Sequence, residues 1–259
     1  AGGAGDGRPL GDAAPVSVHR LHLQNWPSRV VAGYTTRDGG VSAGPHHSLN
    51  LGLNTADQGE CVLQNRRRLR QALPELTDVQ YLSQVHGTHV IQATHPGQEP
   101  QADACWTTES RIACAVLTAD CLPILLCCET GATVAALHAG WRGLAGGIVE
   151  ATLAALPTPP AQLLAWLGPC IGPCHFRVGE DVADALGRSL STPVGECFQK
   201  SGDGGVMVDL QGLAARQLRA AGVSRVSASE HCTFCAKARY FSYRRDGETG
   251  RMATFIARI

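Results

Sequence analysis

Apolar residues fall in short runs whose spacing predicts the elements. Residues 29–35 read as a strand, and it opens into the polar, glycine-rich stretch Thr-Thr-Arg-Asp-Gly-Gly-Val-Ser (35–42). In residues 60–73 the apolar side chains of Val62, Leu63, Leu69 and Leu73 recur at helical spacing among Arg66, Arg67, Arg68 and Arg70, and Pro74 stops the helix. Short strands are expected at 79–85 and 88–93, on either side of Gly87, and 113–138 is rich in strand sequence. Residues 144–156 read as one helix, with apolar positions 145, 148, 149, 153 and 156 on a shared face. A buried strand over 163–167 and helices over 180–190 and 210–221 follow, the last with Asp209 as its N-cap. A hairpin of 240–245 and 252–257 around Asp246–Gly250 closes the chain. Strands outnumber helices, and many follow one another without a helix between them. The prediction is a single α+β domain with mixed β-sheets.

Composition narrows the function classes. The 259 residues are 44% hydrophobic and 17% charged, with Lys+Arg and Asp+Glu balanced at 22 each. Zero formal charge argues against non-specific nucleic-acid binding, which rests on neutralising phosphates, but leaves room for a small anion held by local arginines. No apolar run reaches the ~18 residues that a membrane span needs. Residues 1–20, opening AGGAGDGRPLGDAAP, read as a flexible leader rather than a signal peptide, and 21–259 as the domain. Eleven cysteines, an odd number without a secretory leader, are expected to be mostly reduced in a cytoplasmic protein.

Chemistry concentrates in residues 114–155. An apolar strand leads to Thr-Ala-Asp-Cys (118–121), and a later one ends in His-Ala-Gly-Trp-Arg-Gly (138–143) before a helix. Cys121, His138 and the upstream His86 each stand at a strand end beside small residues. One thiolate and two imidazoles suit zinc or copper, and three protein ligands leave a position for water or substrate, as at a catalytic metal. Taken singly, each also reads as ordinary core. Gly140 and Gly143 bracket a helix start whose free N–H groups favour anions, where Arg142 can add a bidentate fork to phosphate; the plain alternative is a strand–helix turn with an exposed arginine. Arg37, Asn50, Arg66, Arg244 and Arg245 form a scattered polar set, and the run 66–68 also fits a solvated helix face. Cys170-x3-Cys174 and Cys232-x2-Cys235 could build a four-cysteine zinc site, but the pairs lie 58 residues apart, and free thiols are the expectation.

Several motifs carry a resemblance: Thr-Thr-Arg-Asp-Gly-Gly-Val-Ser (35–42), Ser-Leu-Asn-Leu-Gly (48–52), Gln-Val-His-Gly (84–87), Thr-Ala-Asp-Cys-Leu-Pro (118–123), His-Ala-Gly-Trp-Arg-Gly (138–143), Leu-Gly-Pro-Cys-Ile-Gly-Pro (167–173) and Phe-Ser-Tyr-Arg-Arg-Asp-Gly (241–247). As a set they resemble the laccase-domain family, also called the polyphenol oxidase or peptidoglycan-editing-factor family, over residues 29–259; the loop 55–59 departs from its pattern. The resemblance implies a layered αββα-like fold and a zinc, with copper as the other possibility, held by His86, Cys121 and His138. It also implies phosphorolysis of adenosine, inosine or methylthioadenosine to free base and ribose 1-phosphate, with some adenosine deamination. The expected catalytic set is Cys121, His138, His86, Asp120 and Arg142, with Asp120 shuttling protons in deamination. Arg37, Asn50, Arg66, Gln84, Gly140, Gly143 and Arg244 are the expected nucleoside and phosphate contacts. Oligomeric state stays open.

Other labels attached to the family fare less well against the residues. Multicopper oxidation needs clustered histidines, typically in His-x-His pairs, and the ten histidines here include no such pair. A hydrolase of cell-wall precursors could use Cys121 as nucleophile and His138 as base, unless a metal occupies the thiolate. The His-x-Glu…Pro-Cys-x-x-Cys signature of dedicated zinc deaminases is missing, so deamination is expected only as a side reaction. A non-enzymatic zinc scaffold would need a fourth ligand such as Cys127 or Cys128.

Overall fold

The structure is a computed structural model that describes residues 14–94, 96–189, 195–202 and 204–259. The chain enters through β1 (Val18–Arg20) and β2 (Val30–Thr35), passes helix α1 (Gly59–Gln71), and reaches β3 (Asp78–Gln80), β4 (Val90–Gln92) and β5 (Ala104–Thr107). Three long strands, β6 (Ile112–Thr118), β7 (Leu122–Cys128) and β8 (Val134–Ala139), precede α2 (Trp141–Gly146), α3 (Ile148–Ala155) and β9 (Leu163–Leu167). The last third holds β10 (Arg177–Val178), α4 (Glu180–Arg188), β11 (Phe198–Lys200), β12 (Val206–Val208), α5 (Leu210–Ala220), β13 (Arg225–Ala228), α6 (Tyr243–Asp246) and β14 (Met252–Arg258).

Two mixed sheets dominate, a five-stranded one in the order β1-β2-β14-β6-β3 and a six-stranded one in the order β13-β9-β7-β8-β5-β4. A side-chain period of two lets every long strand serve two cores. In β6, Cys114 and Val116 face the space between the sheets, where they meet Leu125, Cys127, Ala136 and Trp166 of the other sheet. The alternate residues Ala113, Ala115 and Leu117 face outward and are covered by Leu69 and Leu73 of α1 and its exit. On the far side, Leu122, Ile124 and Leu126 of β7 pack against Leu144, Ile148 and Leu213 from three helices. The result is the layered αββα arrangement of one α+β domain, with no helix among the described residues long and apolar enough to cross a membrane.

Four local expectations need correction. The single helix over 144–156 is two, because Gly147 takes φ +91° and ends α2 while starting α3. The strands expected at 79–85 and 88–93 shrink to β3 and β4, leaving residues 81–89 to irregular backbone. The closing hairpin does not form, because β14 already pairs with β2 on one edge and β6 on the other. Residues 240–245 instead run into α6, where the Ser242 hydroxyl accepts from the Arg245 N–H at 3.3 Å. Val18–Arg20, expected within the leader, forms the edge strand beside β2; residues 1–13 lie outside the described ones, as do Leu190 of the helix expected over 180–190 and His95.

Candidate active site

Residues 119–121 carry the chain from the end of β6 in one sheet to the start of β7 in the other. Asp120 makes this short crossing with φ +92°, a left-handed conformation that a non-glycine residue adopts at some cost. Cys121 follows it, at the mouth of the space between the sheets. His138 sits near the end of β8, on the same side of the strand as Ala136 and so toward the inter-sheet space. His86 reaches in from the irregular segment between β3 and β4, with φ +62°.

The three side chains meet. One donor atom from each of His86, Cys121 and His138 lies within 4.8 Å of the other two. The Cys121 sulfur is 3.8 Å from His86 Nε2, and the two imidazoles stand edge to face with centroids 4.7 Å apart. Gly140 makes the approach possible, since a Cβ there would lie 2.9 Å from the Cys121 sulfur and 3.2 Å from the His86 ring. Gly143, three residues on, is buried as well, and neither glycine is among the residues that line the cavity above the group.

Asp103, which the sequence patterns did not single out, holds the group in place. Its fully buried carboxylate receives His138 Nδ1 at 2.8 Å and the backbone N–H groups of Val85, His86 and Gly87 at 2.7–3.3 Å. One carboxylate thus fixes two of the three candidate ligands and leaves His138 Nε2 to face Cys121. Burial alone would raise the Asp103 carboxyl, but His138 and the N–H donors outweigh it and hold the group ionised. Burial likewise opposes charge on Cys121 and His138, and their attraction wins: the thiol falls to about 6, helped by His86, and the imidazole rises to about 9, helped by Asp103. Without a metal, both shifts favour the thiolate–imidazolium form of the pair. The donor set also suits a metal, since a soft thiolate, two imidazoles and a carboxylate behind one of them are what zinc or copper takes.

Asp120 behaves otherwise than expected. Its carboxylate accepts from Thr233 Oγ1 at 2.6 Å, Ser242 Oγ at 3.0 Å and the Arg244 N–H at 2.7 Å. It ties three segments together, and its lone pairs are committed to that task rather than free to carry protons. Several expected ligand contacts are also occupied elsewhere. Arg37 donates to the carbonyls of His47 and Lys237 and lies over Phe241, away from the cavity. Asn50 is wholly buried and braces the loop through Thr55, Asp57 and the Arg251 N–H. Arg66 lies over Tyr81 and pairs with Glu99, whose side chain lines the cavity. Gln84 does line the cavity, but its amide forms both hydrogen bonds with the Leu117 backbone.

A cavity of about 580 Å³ opens over the three ligands. Leu82, Leu117, Trp141, Ile171 and Phe176 form apolar walls, and Tyr243, 62% exposed, stands at the rim. Arg142, Arg244 and Arg251 bring cationic groups to the same space. Arg244 spends Nη1 on the Arg177 carbonyl, and Arg251 spends Nη1 on Thr249 and Gly250. Arg142 lies over the Trp141 ring at 4.4 Å, and its guanidinium has no hydrogen-bond partner among the described residues. Arg251, like Asp103, escaped the sequence patterns because nothing in Gly-Arg-Met marks it; Asp103 left one sign, an acid entering the apolar strand Ala-Cys-Trp.

The profile of the family described as multi-copper polyphenol oxidoreductase laccase matches residues 31–259. The chain belongs to this family. A purine nucleoside phosphorylase of Pseudomonas aeruginosa is 45% identical over 230 residues, covering 89% of this chain and 94% of that protein. The purine nucleoside phosphorylase YfiH of Escherichia coli is 41% identical over 242 residues, covering 92% and 99%. Among solved structures, a Neisseria meningitidis protein of the same family superposes with a TM-score of 0.87 at 43% identity, over 93% of this chain and 99% of that one. YlmD of Geobacillus stearothermophilus gives 0.88 at 36% identity, over 93% and 96%. The copper-oxidase wording of the family description meets two histidines at this site among the described residues.

Proposed function

We propose that the chain is a purine nucleoside phosphorylase that works at a zinc held by His86, Cys121 and His138, with adenosine, inosine or methylthioadenosine as substrate. The observation that carries this reading is the pairing, in one cavity, of an open three-residue site with an Arg142 guanidinium that has no hydrogen-bond partner among the described residues. Relatives at more than 40% identity named for the same activity support it. Bound at this site, zinc would supply a Lewis acid with a free coordination position. Arg142 holds phosphate by a charge-assisted fork, and Arg244 and Arg251 add positive potential around it. The apolar walls take the purine and sugar and exclude water, which would otherwise compete with phosphate. A phosphate oxygen then forms the bond to the anomeric carbon as the carbon–nitrogen bond breaks, and the purine leaves with the bonding pair. The protein contributes chiefly by orienting the two reactants and by placing charge where the transition state needs it. Deamination fits less well, because Asp120 is committed to three donors and Glu99 to Arg66.

One observation favours a second reading. In metal-free protein the Cys121–His138 ion pair, with Asp103 behind the imidazole, has the order of a cysteine-hydrolase triad. The two readings part on Arg142. Arg142→Ala removes the charged fork, whose loss costs at least one charged hydrogen bond, about 1.5–3 kcal/mol, and should raise the KM for phosphate about 10- to 150-fold or more while changing that for nucleoside far less. An unchanged phosphate KM would place the anion elsewhere.

A further inference from the structure

We propose that Cys174, His175, Cys232 and Cys235 form a second, structural zinc site that clamps one wall of the cavity. Four donor atoms, three thiols and one imidazole nitrogen, all lie within 4.8 Å of one another. His175 Nδ1 is 3.1 Å from the Cys174 sulfur and 3.3 Å from that of Cys235; the Cys174 sulfur is 3.7 Å from Cys235 and 4.0 Å from Cys232. Tetrahedral zinc with bonds of about 2.3 Å to sulfur and 2.0–2.1 Å to nitrogen sets edges of about 3.5–3.8 Å, so the donors already stand near the corners. The four-cysteine grouping available from the spacing alone was the wrong set. Cys170 is buried in the core, outside the group of four donors, and His175, next to Cys174, takes its corner.

The surroundings are those of a metal knuckle rather than of chance neighbours. The Cys232 sulfur receives the backbone N–H of Gly172 at 3.2 Å, and the N–H groups of Cys235 and Phe234 also point to it. Such donors steady a thiolate. The His175 ring stacks on Phe234 at 4.0 Å and 17°, which fixes the direction of its nitrogen. The Ala236 N–H closes the turn onto the Cys232 carbonyl at 3.1 Å. Three thiolates and one neutral imidazole select a soft or borderline cation, and four protein ligands leave no open position, so the site is structural and not catalytic.

Its place in the fold says what it would steady. Cys174 and His175 belong to the segment that supplies Ile171 and Phe176 to the cavity. Cys232 and Cys235 belong to the segment whose Thr233 holds the Asp120 carboxylate. Without a metal, the Thr233 N–H to Cys170 carbonyl bond and the Gly172 contact are among the bonds that join these two segments. A zinc would join them through four bonds.

Metal analysis with peptide mapping tests this on the full chain. Cys235→Ser and Cys174→Ser should each lower the zinc content by one per chain relative to wild type, whatever the content of the His86–Cys121–His138 site. Cys121→Ser should leave the second zinc in place. In native protein Cys174 and Cys235, both exposed, should resist iodoacetamide until a chelator removes the metal. Zinc content unchanged by Cys235→Ser would overturn the proposal. So would protection of the two thiols that reductant abolishes and chelator does not, with an intact mass lower by two hydrogens, because that pattern is a disulfide.

Discussion

Asp103 sets the geometry of the candidate ligands without facing the substrate. Its carboxylate is the partner of His138 and of the turn that presents His86. Replacing it in Asp103→Asn keeps the shape but loses the charge that favours a donating Nδ1–H on His138. Loss of such an outer partner lowers metal affinity about 10- to 100-fold, which competition with a chromophoric chelator would read. Unchanged affinity would reduce Asp103 to a fold residue. Cys121 offers a second test at this scale. With the thiol drawn down to about 6 by His138 and His86, the thiolate forms as pH rises through that value. In metal-free protein, alkylation of Cys121 should climb around pH 6 and level off above it, where an ordinary cysteine would still be climbing near ~8.5. Zinc loading should make the same residue slow to react across that range. Fast alkylation in loaded, active protein would favour the hydrolase reading.

At the level of elements, α2 and α3 show where a periodic pattern misleads. The apolar positions at 145, 148, 149 and 153 share a face in the sequence, yet Gly147 breaks the helix there in a left-handed conformation. Helix propensity predicts that Gly147→Ala gains roughly 1 kcal/mol, whereas forcing a side chain into that conformation costs about 1–2 kcal/mol. We expect net destabilisation in a urea titration, and a gain would mean that the break is not needed. The same limit explains the missing hairpin: nothing between 240 and 257 reveals that β14 has both edges taken by β2 and β6, distant in sequence. Long apolar strands such as β7 and β9 were legible, because they are buried on both faces and read as continuous runs. So was the grouping of His86, Cys121 and His138, because chemistry-bearing residues at strand ends stand out. The roles of Arg37, Asn50 and Arg66 were not, since a polar side chain that ties loops together reads in sequence like one that binds a ligand.

For the molecule as a whole, the site lies where the two sheets exchange the chain. The crossing at residues 119–121, the end of β8 and the His86 segment between β3 and β4 meet there, and α6 and the segments around residues 172 and 233 close over them. The candidate ligands, Cys121 from the crossing just ahead of β7, His138 from β8 and His86 from an irregular segment, are therefore fixed by both sheets, while the cavity walls come largely from the connections. Substrate preference should vary with those connections, and the metal chemistry with the sheets. The most direct test of the account is product identification from adenosine with metal-quantified protein, run with and without phosphate and beside Cys121→Ser. The account predicts adenine and ribose 1-phosphate only when phosphate is present, with loss of turnover and of one zinc in the variant. Inosine as the sole product regardless of phosphate, or phosphorolysis undiminished in Cys121→Ser, would contradict it.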